Sequence, residues 1–492
     1  MEFDRDLQAI QQARDLMARS GIAQRELAGY DQNRIDRLVG KVCDACEREA
    51  ERLAKMASEE TGFGLWQDKV LKNLLGSRVT CEYIKEMKTV GVIEEDRIRK
   101  IWHVAVPMGV VVALIPSTNP TSTVMYKALI SLKAGNSVIF CPHPNAKNCI
   151  LETVRIIRDV LKAEGAPEDA VCAVSIPTVE ATHALMKHPD TGIILATGGP
   201  GMVKAAYSSG NPALGVGAGN TPAFIERTAD IPAAIRRVFA SKCFDNGTIC
   251  ASEQSIITER CIRDSVVEDA KRQGGCFLNE EQSAKVAKVL LKPNGSMNPA
   301  AVGRSARDVA DLAGITIPEG TRVLLSGHTG IGERHPYSRE KLCPVLGFFV
   351  EEDWAAACER SIELLTNEGA GHTLSIHSRD EAVIREFALK KPVMRVIVNA
   401  GSALGGVGAT TGLAPALTLG CGSIGGSATS DNVTPMNLIN IRRVAWGVRE
   451  IEDLRGKPPA SAPALHKETD RARIERIAAE VIKRLNLQND IQ

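Results

Sequence analysis

Residues 110–141, VVVALIPSTNPTSTVMYKALISLKAGNSVIFC, carry the pattern that decides the fold. Val110–Ile115 is an unbroken apolar run, which is how a parallel strand buried on both faces reads. Pro116–Pro120 is a polar, proline-bounded turn, Thr121–Lys133 reads as a helix, and Ser137–Cys141 is a second apolar strand. Together they predict a βαβ unit. The alternation continues through a helix around Leu151–Glu164, a strand at Val171–Ile176, a helix to Lys187, a strand at Gly192–Ala196 and the glycine-rich turn TGGPG at 197–201. An α/β sheet of the doubly wound kind follows, with ligands expected at the carboxyl ends of its strands.

Working outward, residues 1–90 read as helical: Ile35, Leu38, Val39, Val42 and Ala45 fall on one helix face with charges between them. Val92–Val106 (VIEEDRIRKIWHVAV) is extended and mixed in charge, the mark of a protruding strand or hairpin. A second α/β region runs from Arg227 to Leu419 and includes Ile225–Ile231 at its edge, a helix at Ala233–Phe239, the turn Phe244–Cys250 and strands at Arg322–Leu325 and Arg395–Asn399. Gly420–Ser427 (GCGSIGGS) has the composition of a loop in close contact with something else. Lys457–Leu465 (KPPASAPAL) reads as a linker, and beyond it Ile474, Ile477, Ala478, Val481, Ile482 and Leu485 mark one face of an amphipathic helix.

Sixty basic residues against fifty-nine acidic ones argue against binding nucleic acid or a membrane surface by bulk charge. The longest apolar stretch, Val104–Pro116, is too short to span a bilayer, and the charged start MEFDRDLQAI has no signal core. Thirteen cysteines, an odd number scattered without disulfide-like spacing, suit reduced thiols in a soluble, cytoplasmic chain. With no HExxH and no Cys/His cluster, no catalytic metal is expected.

Among the thiols, Cys250 has the most informative neighbourhood, FDNGTICASEQSI: a tight turn before it and small residues after it. A nucleophilic sulfur needs exposure, backbone donors and room for a tetrahedral intermediate. Taken alone, the pattern still favours an ordinary buried cysteine. However, FDNGTICASEQS, together with GNPALGVGAGNTPAFIE at 210–226 and PSTNPTST at 116–123, closely resembles the aldehyde dehydrogenase superfamily. Within it the resemblance is to the CoA-acylating branch, including microcompartment enzymes and the aldehyde-oxidising half of bifunctional aldehyde–alcohol dehydrogenases. HPNAKN (143–148), EKLCPVL (340–346), GHT (371–373) and LAPALTLGCGS (413–423) extend it, in consistent order, over nearly the whole chain to about residue 450.

The resemblance implies the aldehyde dehydrogenase fold: a Rossmann-like cofactor domain (1–226, with an oligomerisation hairpin at about 91–106) and an α/β catalytic domain (227–419). Residues 420–456 return to the cofactor domain and supply an oligomerisation strand, and 457–492 form the linker and helix. It places Cys250 as the nucleophile and Asn119 as the amide that, with the cysteine's backbone N–H, holds the oxyanion. Glu340 falls where the nicotinamide ribose is gripped, and Ile115, Pro116, Ser117, Pro142, His143, Thr197, Gly198, Gly199, Pro200, Gly217 and Leu342 fall along the dinucleotide site. The plainer readings are that Asn119 caps the following helix and that Glu340 is a surface charge. His335 and His372 read as structural or surface residues.

One departure carries chemical weight. Hydrolytic members hold a glutamate at the head of an E-L-G-G-K motif to activate water, and here that position is Val216 in VGAGN. Without that base a thiolate, which needs none, is the better acyl acceptor. The expected reaction is oxidation of acetaldehyde or propionaldehyde to its acyl-CoA, with a hydrolytic dehydrogenase and a non-catalytic scaffold as the competing classes. A second departure, Cys141 at the usual adenine-ribose lysine, leaves NAD against NADP open; NAD is implied by the branch. The resemblance also implies a homo-oligomer and, for 457–492, an address to shell or co-encapsulated proteins in a bacterial microcompartment lumen.

Overall fold

The computed structural model describes residues 4–327, 330–455 and 470–489. The chain divides into a large unit (1–93 and 104–442) and a small one (94–103 and 443–492). Strands β1 (Gly91–Asp96) and β2 (Ile101–Pro107) leave the helical N-terminal region as the expected hairpin. Next come β3 (Val110–Ile115), β4 (Ser137–Pro142), β5 (Val171–Ala173), β6 (Thr191–Thr197) and β7 (Ala213–Val216), which form one parallel sheet in the order β5-β4-β3-β6-β7. The order turns back between β3 and β6, so the crevice at their carboxyl ends is the switch point where such sheets take ligands.

Helix Pro120–Lys133 is buried along its whole length, because the N-terminal helices cover the face it turns away from the sheet. Its Lys127 Nζ donates to the carbonyls of Leu114 (2.8 Å) and Leu195 (2.9 Å), bridging β3 and β6 beside the switch point. The expected strand at 171–176 is shorter, ending at Ala173. The TGGPG turn leads directly into helix Pro200–Tyr207.

The second sheet contains β8 (Thr221–Ile225), β9 (Glu253–Glu259), β10 (Gly275–Leu278), β11 (Val323–Ser326), β12 (Val345–Glu351), β13 (Gly371–His377) and β14 (Val393–Val398), in the order β10-β11-β12-β9-β8-β13-β14. Thr221–Ile225 thus already belongs to this sheet, one strand before residue 227. Between helix Ile231–Cys243 and β9, Asp245 (φ 49°) and Asn246 (φ 51°) adopt left-handed backbone, which turns the chain sharply ahead of Cys250.

The 420–427 loop does press closely, but on the protein itself: a Cβ on Gly371 would lie 1.8 Å from the Cys421 carbonyl oxygen. A last strand, β15 (Ile439–Ala445), completes a three-stranded sheet in the order β1-β2-β15. In the small unit, Trp102 and Trp446 meet edge-to-face at 5.0 Å. Helix Asp470–Asn489 exposes Ile474, Ile477, Val481 and Ile482. The linker expected at 457–465 lies outside the described residues.

Candidate active site

At the switch point the cleft has two adjoining chambers of about 260 Å³ each. One is an apolar slot whose walls include Ile115, Pro142, Pro177, Val179 and Met202. The other contains Asn119, Val216, Gly217, Thr248, Cys250, Glu340 and Leu342. Pro116, His143, Thr197, Gly198 and Gly199 line both, so the two form one elongated cleft. Ser117 joins the second chamber, and Pro200 opens helix Pro200–Tyr207 immediately after Gly199. Every other residue expected along the dinucleotide site therefore lines this cleft.

The shape fits a dinucleotide. A Cβ on Gly198, Gly199 or Gly217 would meet open space, so the backbone there is free for a ligand's close approach. An apolar slot leads to a chamber that carries polar side chains and a carboxyl group, the order in which an adenine and a nicotinamide ribose would be met. Among the described residues, no group of three or more His, Cys, Asp or Glu side chains is placed to hold a metal ion.

The turn that carries Cys250 packs against the 216–220 segment: a Cβ on Gly219 would lie 1.8 Å from the Cys250 carbonyl oxygen, so only glycine fits. Burial pushes the Cys250 thiol up to about 12, with the Glu340 and Cys421 charges adding and Arg395 opposing. The resting sulfur is therefore a thiol. Across the chamber a Glu340 carboxylate oxygen accepts from the Gly219 N–H at 3.0 Å, and the Glu340 N–H donates to Glu368 at 2.6 Å. Burial and the Glu368 charge raise the Glu340 carboxyl to about 7. Glu340 is thus part of the chamber wall and no ordinary surface charge. Val216 is buried and brings no carboxylate.

Asn119 occupies the cap position of helix Pro120–Lys133 but makes no side-chain capping bond. Its Oδ1 accepts from Lys72 Nζ at 2.6 Å, and its Nδ2 donates to Thr118 Oγ1 at 3.1 Å. Lys72 also donates to the Thr248 carbonyl and hydroxyl, each at 3.1 Å, and contacts Asp245. Lys69 Nζ donates to the Thr118 carbonyl (3.1 Å) and to Asp245 (2.9 Å). Asp245 is fully buried, and the two lysines hold its carboxyl below the usual range against the opposing cost of burial.

Reading motifs misses this network, because Lys69 and Lys72 look like a solvated helix face. The inverted burial of helix Trp66–Leu74 is the signal: Lys69, Lys72 and Asn73 are inside while Leu71 is 51% exposed. Of the histidines considered, His335 is absent from the cleft lining. His372 is fully buried, with Nδ1 2.9 Å from Thr373 Oγ1 and Nε2 without a hydrogen-bond partner. Burial and then Arg395 hold it down to about 3, so it is neutral.

Comparison with known proteins bears on this cleft. Residues 7–340 match the model of the aldehyde dehydrogenase family. A bifunctional aldehyde-alcohol dehydrogenase of Escherichia coli K12 is 43% identical over 435 residues, covering 87% of this chain and 49% of that protein. The chain thus spans about half the length of that relative and of several others like it. Three solved structures share the fold closely. A probable aldehyde dehydrogenase from Listeria monocytogenes EGD-e has 57% identity and a TM-score of 0.91, covering 92% of this chain and 100% of that one. An acetylating aldehyde dehydrogenase from Geobacillus thermoglucosidasius has 47% identity and a TM-score of 0.90, covering 92% and 99%. A propionaldehyde dehydrogenase from the fucose utilisation microcompartment of Clostridium phytofermentans has 26% identity and a TM-score of 0.80, covering 88% and 97%.

Proposed function

The chain belongs to the aldehyde dehydrogenase family, and from that premise we propose that it oxidises a short-chain aldehyde to its acyl-CoA through a thioester on Cys250. The observation that carries the proposal is one chamber lined by both Cys250 and Asn119, with the buried valine Val216 where hydrolytic members carry their base. Acetaldehyde and propionaldehyde are the proposed substrates, supported by the acetylating and propionaldehyde-oxidising structures that share the fold.

The steps follow from the residues at hand. The Cys250 thiol gives up its proton and its sulfur bonds to the aldehyde carbon. Glu340, close to neutrality and lining the same chamber, is the proposed acceptor of that proton. The carbonyl oxygen becomes an oxyanion, held by Asn119 Nδ2 and the Cys250 backbone N–H. NAD, held along the cleft by the open backbone at Gly198, Gly199 and Gly217 and by Glu340, would supply the hydride acceptor. Loss of the hydride from the tetrahedral carbon, with its electron pair, restores the carbonyl and leaves an acyl thioester on Cys250. A CoA thiolate then attacks that carbon, and the Cys250 thiolate departs.

Glu340 also supports a second reading: a carboxyl that titrates near 7 beside the thioester could activate water and release free acid. NADH formation from propionaldehyde with and without CoA separates the two. Turnover that requires CoA is expected, and equal turnover without CoA would establish the hydrolytic reading. Cys250→Ala should abolish NADH formation and the acyl-enzyme seen by mass spectrometry while leaving NADH binding intact; normal turnover would remove Cys250 as nucleophile.

Two further parts of the proposal concern assembly. Helix Asp470–Asn489, with its exposed apolar residues, suits an encapsulation peptide in a microcompartment lumen, a reading supported by the microcompartment enzyme of similar fold. The β1-β2-β15 sheet suits a homo-oligomer contact through its largely exposed strands.

A further inference from the structure

The proposed oxyanion hole has two halves that reach the chamber from different parts of the chain. The Asn119 amide comes from the turn after β3, and the Cys250 N–H comes from the turn after helix Ile231–Cys243. For both to point at one oxygen atom, something must fix the amide's orientation and the distance between the turns. An asparagine amide can flip end for end, exchanging the donor that stabilises an oxyanion for an acceptor that repels it.

One buried group meets both requirements. The ammonium of Lys72 has three donors and no acceptor, so whichever end of the Asn119 amide faces it must be the oxygen. At 2.6 Å from Lys72 Nζ, Oδ1 is held there and Nδ2 is directed away, with Thr118 Oγ1 as its partner at 3.1 Å. The same nitrogen donates to the carbonyl and hydroxyl of Thr248, two residues before Cys250. The lysine is 2% exposed, and Asp245 supplies its counter-charge. Asp245 is itself gripped by Lys69 at 2.9 Å and by the Leu65 N–H at 2.7 Å. Lys69 reaches back to the carbonyl of Thr118, next to Asn119. The network therefore closes on both turns.

We propose that Lys72 is a positioning residue of the oxyanion hole: it fixes which end of the Asn119 amide faces the chamber and locks that amide in register with the Thr248–Cys250 turn. The proposal rests on the reading of Asn119 as an oxyanion donor. Burial lowers Lys72 to about 8, with Asp245 opposing and Lys69 adding, so the ammonium form required here is the main one at neutral pH.

A double-mutant cycle on the full chain tests it, using wild type, Lys72→Met, Asn119→Ala and the double variant. The readouts are kcat, the KM for propionaldehyde, NADH binding and thermal unfolding. Loss of one oxyanion donor lowers kcat by about 10²–10³, so Asn119→Ala should fall in that range and Lys72→Met should lose roughly 10–100-fold, with NADH binding kept within about twofold. In the Asn119→Ala background, Lys72→Met should cost no more than about a further twofold, because a residue acting through an absent amide has nothing left to act on.

Equal losses in both backgrounds, or wild-type kcat in Lys72→Met, would overturn the positioning role. Wild-type kcat in Asn119→Ala would instead overturn the oxyanion reading itself. Should Lys72→Met fail to fold, Lys72→Gln, which keeps an N–H donor beside Asp245, goes through the same cycle under the same criterion of non-additivity. It should retain more kcat than Lys72→Ala.

Discussion

On one side of Cys250, Asn119 is pinned by a buried ammonium that also holds Thr248, Asp245 and, through Lys69, the backbone of Thr118. On the other side, Glu340 is held by a single accepted bond from the Gly219 N–H, with its carboxyl near neutrality. The contrast follows from the chemistry proposed for each. A donor that stabilises a transient oxyanion gains from being fixed before the reaction begins. A group that grips a cofactor must release it before a second substrate enters the same cleft, and one weakly held carboxyl suits that exchange.

The rigid side should break hardest. Asp245→Asn leaves Lys69 and Lys72 buried without their counter-charge, and losing one partner of a buried ion cluster costs about 3–5 kcal/mol. The urea unfolding midpoint should fall accordingly, and a change under about 1 kcal/mol would mean that the cluster does not brace the turn. Next in size is the resting thiol. A sulfur pushed up to about 12 remains protonated through neutral pH, so Cys250 alkylation by iodoacetamide in cofactor-free protein should rise about tenfold per pH unit from 7 to 10. A plateau below pH 8.5, followed by peptide mapping, would show that the free protein already stabilises a thiolate.

The smallest effect belongs to the adjustable side. Glu340 is ionised above about 7 and neutral below it, so the grip on ribose hydroxyls proposed for it should weaken as pH falls. The Kd for NADH should rise several-fold between pH 8 and pH 6, the range over which such a carboxyl gains its proton. Glu340→Gln should flatten that dependence; an unchanged slope in the variant would assign the titration to another group.

How much of this could be read in advance depended on how local the signal was. The Val110–Cys141 unit was legible because a strand buried on both faces has a continuous apolar sequence, and because Pro116–Pro120 breaks the chain where the strand ends. Cys250, Asn119 and Glu340 sit in short motifs, and all three line one chamber. The ion cluster was invisible for a physical reason. Lys72 and Asp245 are 173 residues apart, and hydrophobic periodicity assigns a lysine to the outside by default. Helix Trp66–Leu74 reverses that rule by turning Lys69 and Lys72 inward and Leu71 outward. Strand Val171–Ala173 is shorter than expected for a milder reason: Val174 adds one last bond, to the Phe140 carbonyl at 2.9 Å, and Ile176 packs on the core with its N–H turned to Gln12.

The contact between Gly219 and the Cys250 carbonyl has a consequence for anyone rebuilding this enzyme. The two segments occupy one another's space so closely that they behave as a single interchangeable part. A graft carrying 247–252 into another scaffold without 216–220 would bring the proposed nucleophile but lose the surface that shapes its turn. Libraries aimed at new acceptors should therefore vary Val216 and Ala218 while keeping Gly219 constant, treating the pair of segments as the smallest transplantable cassette.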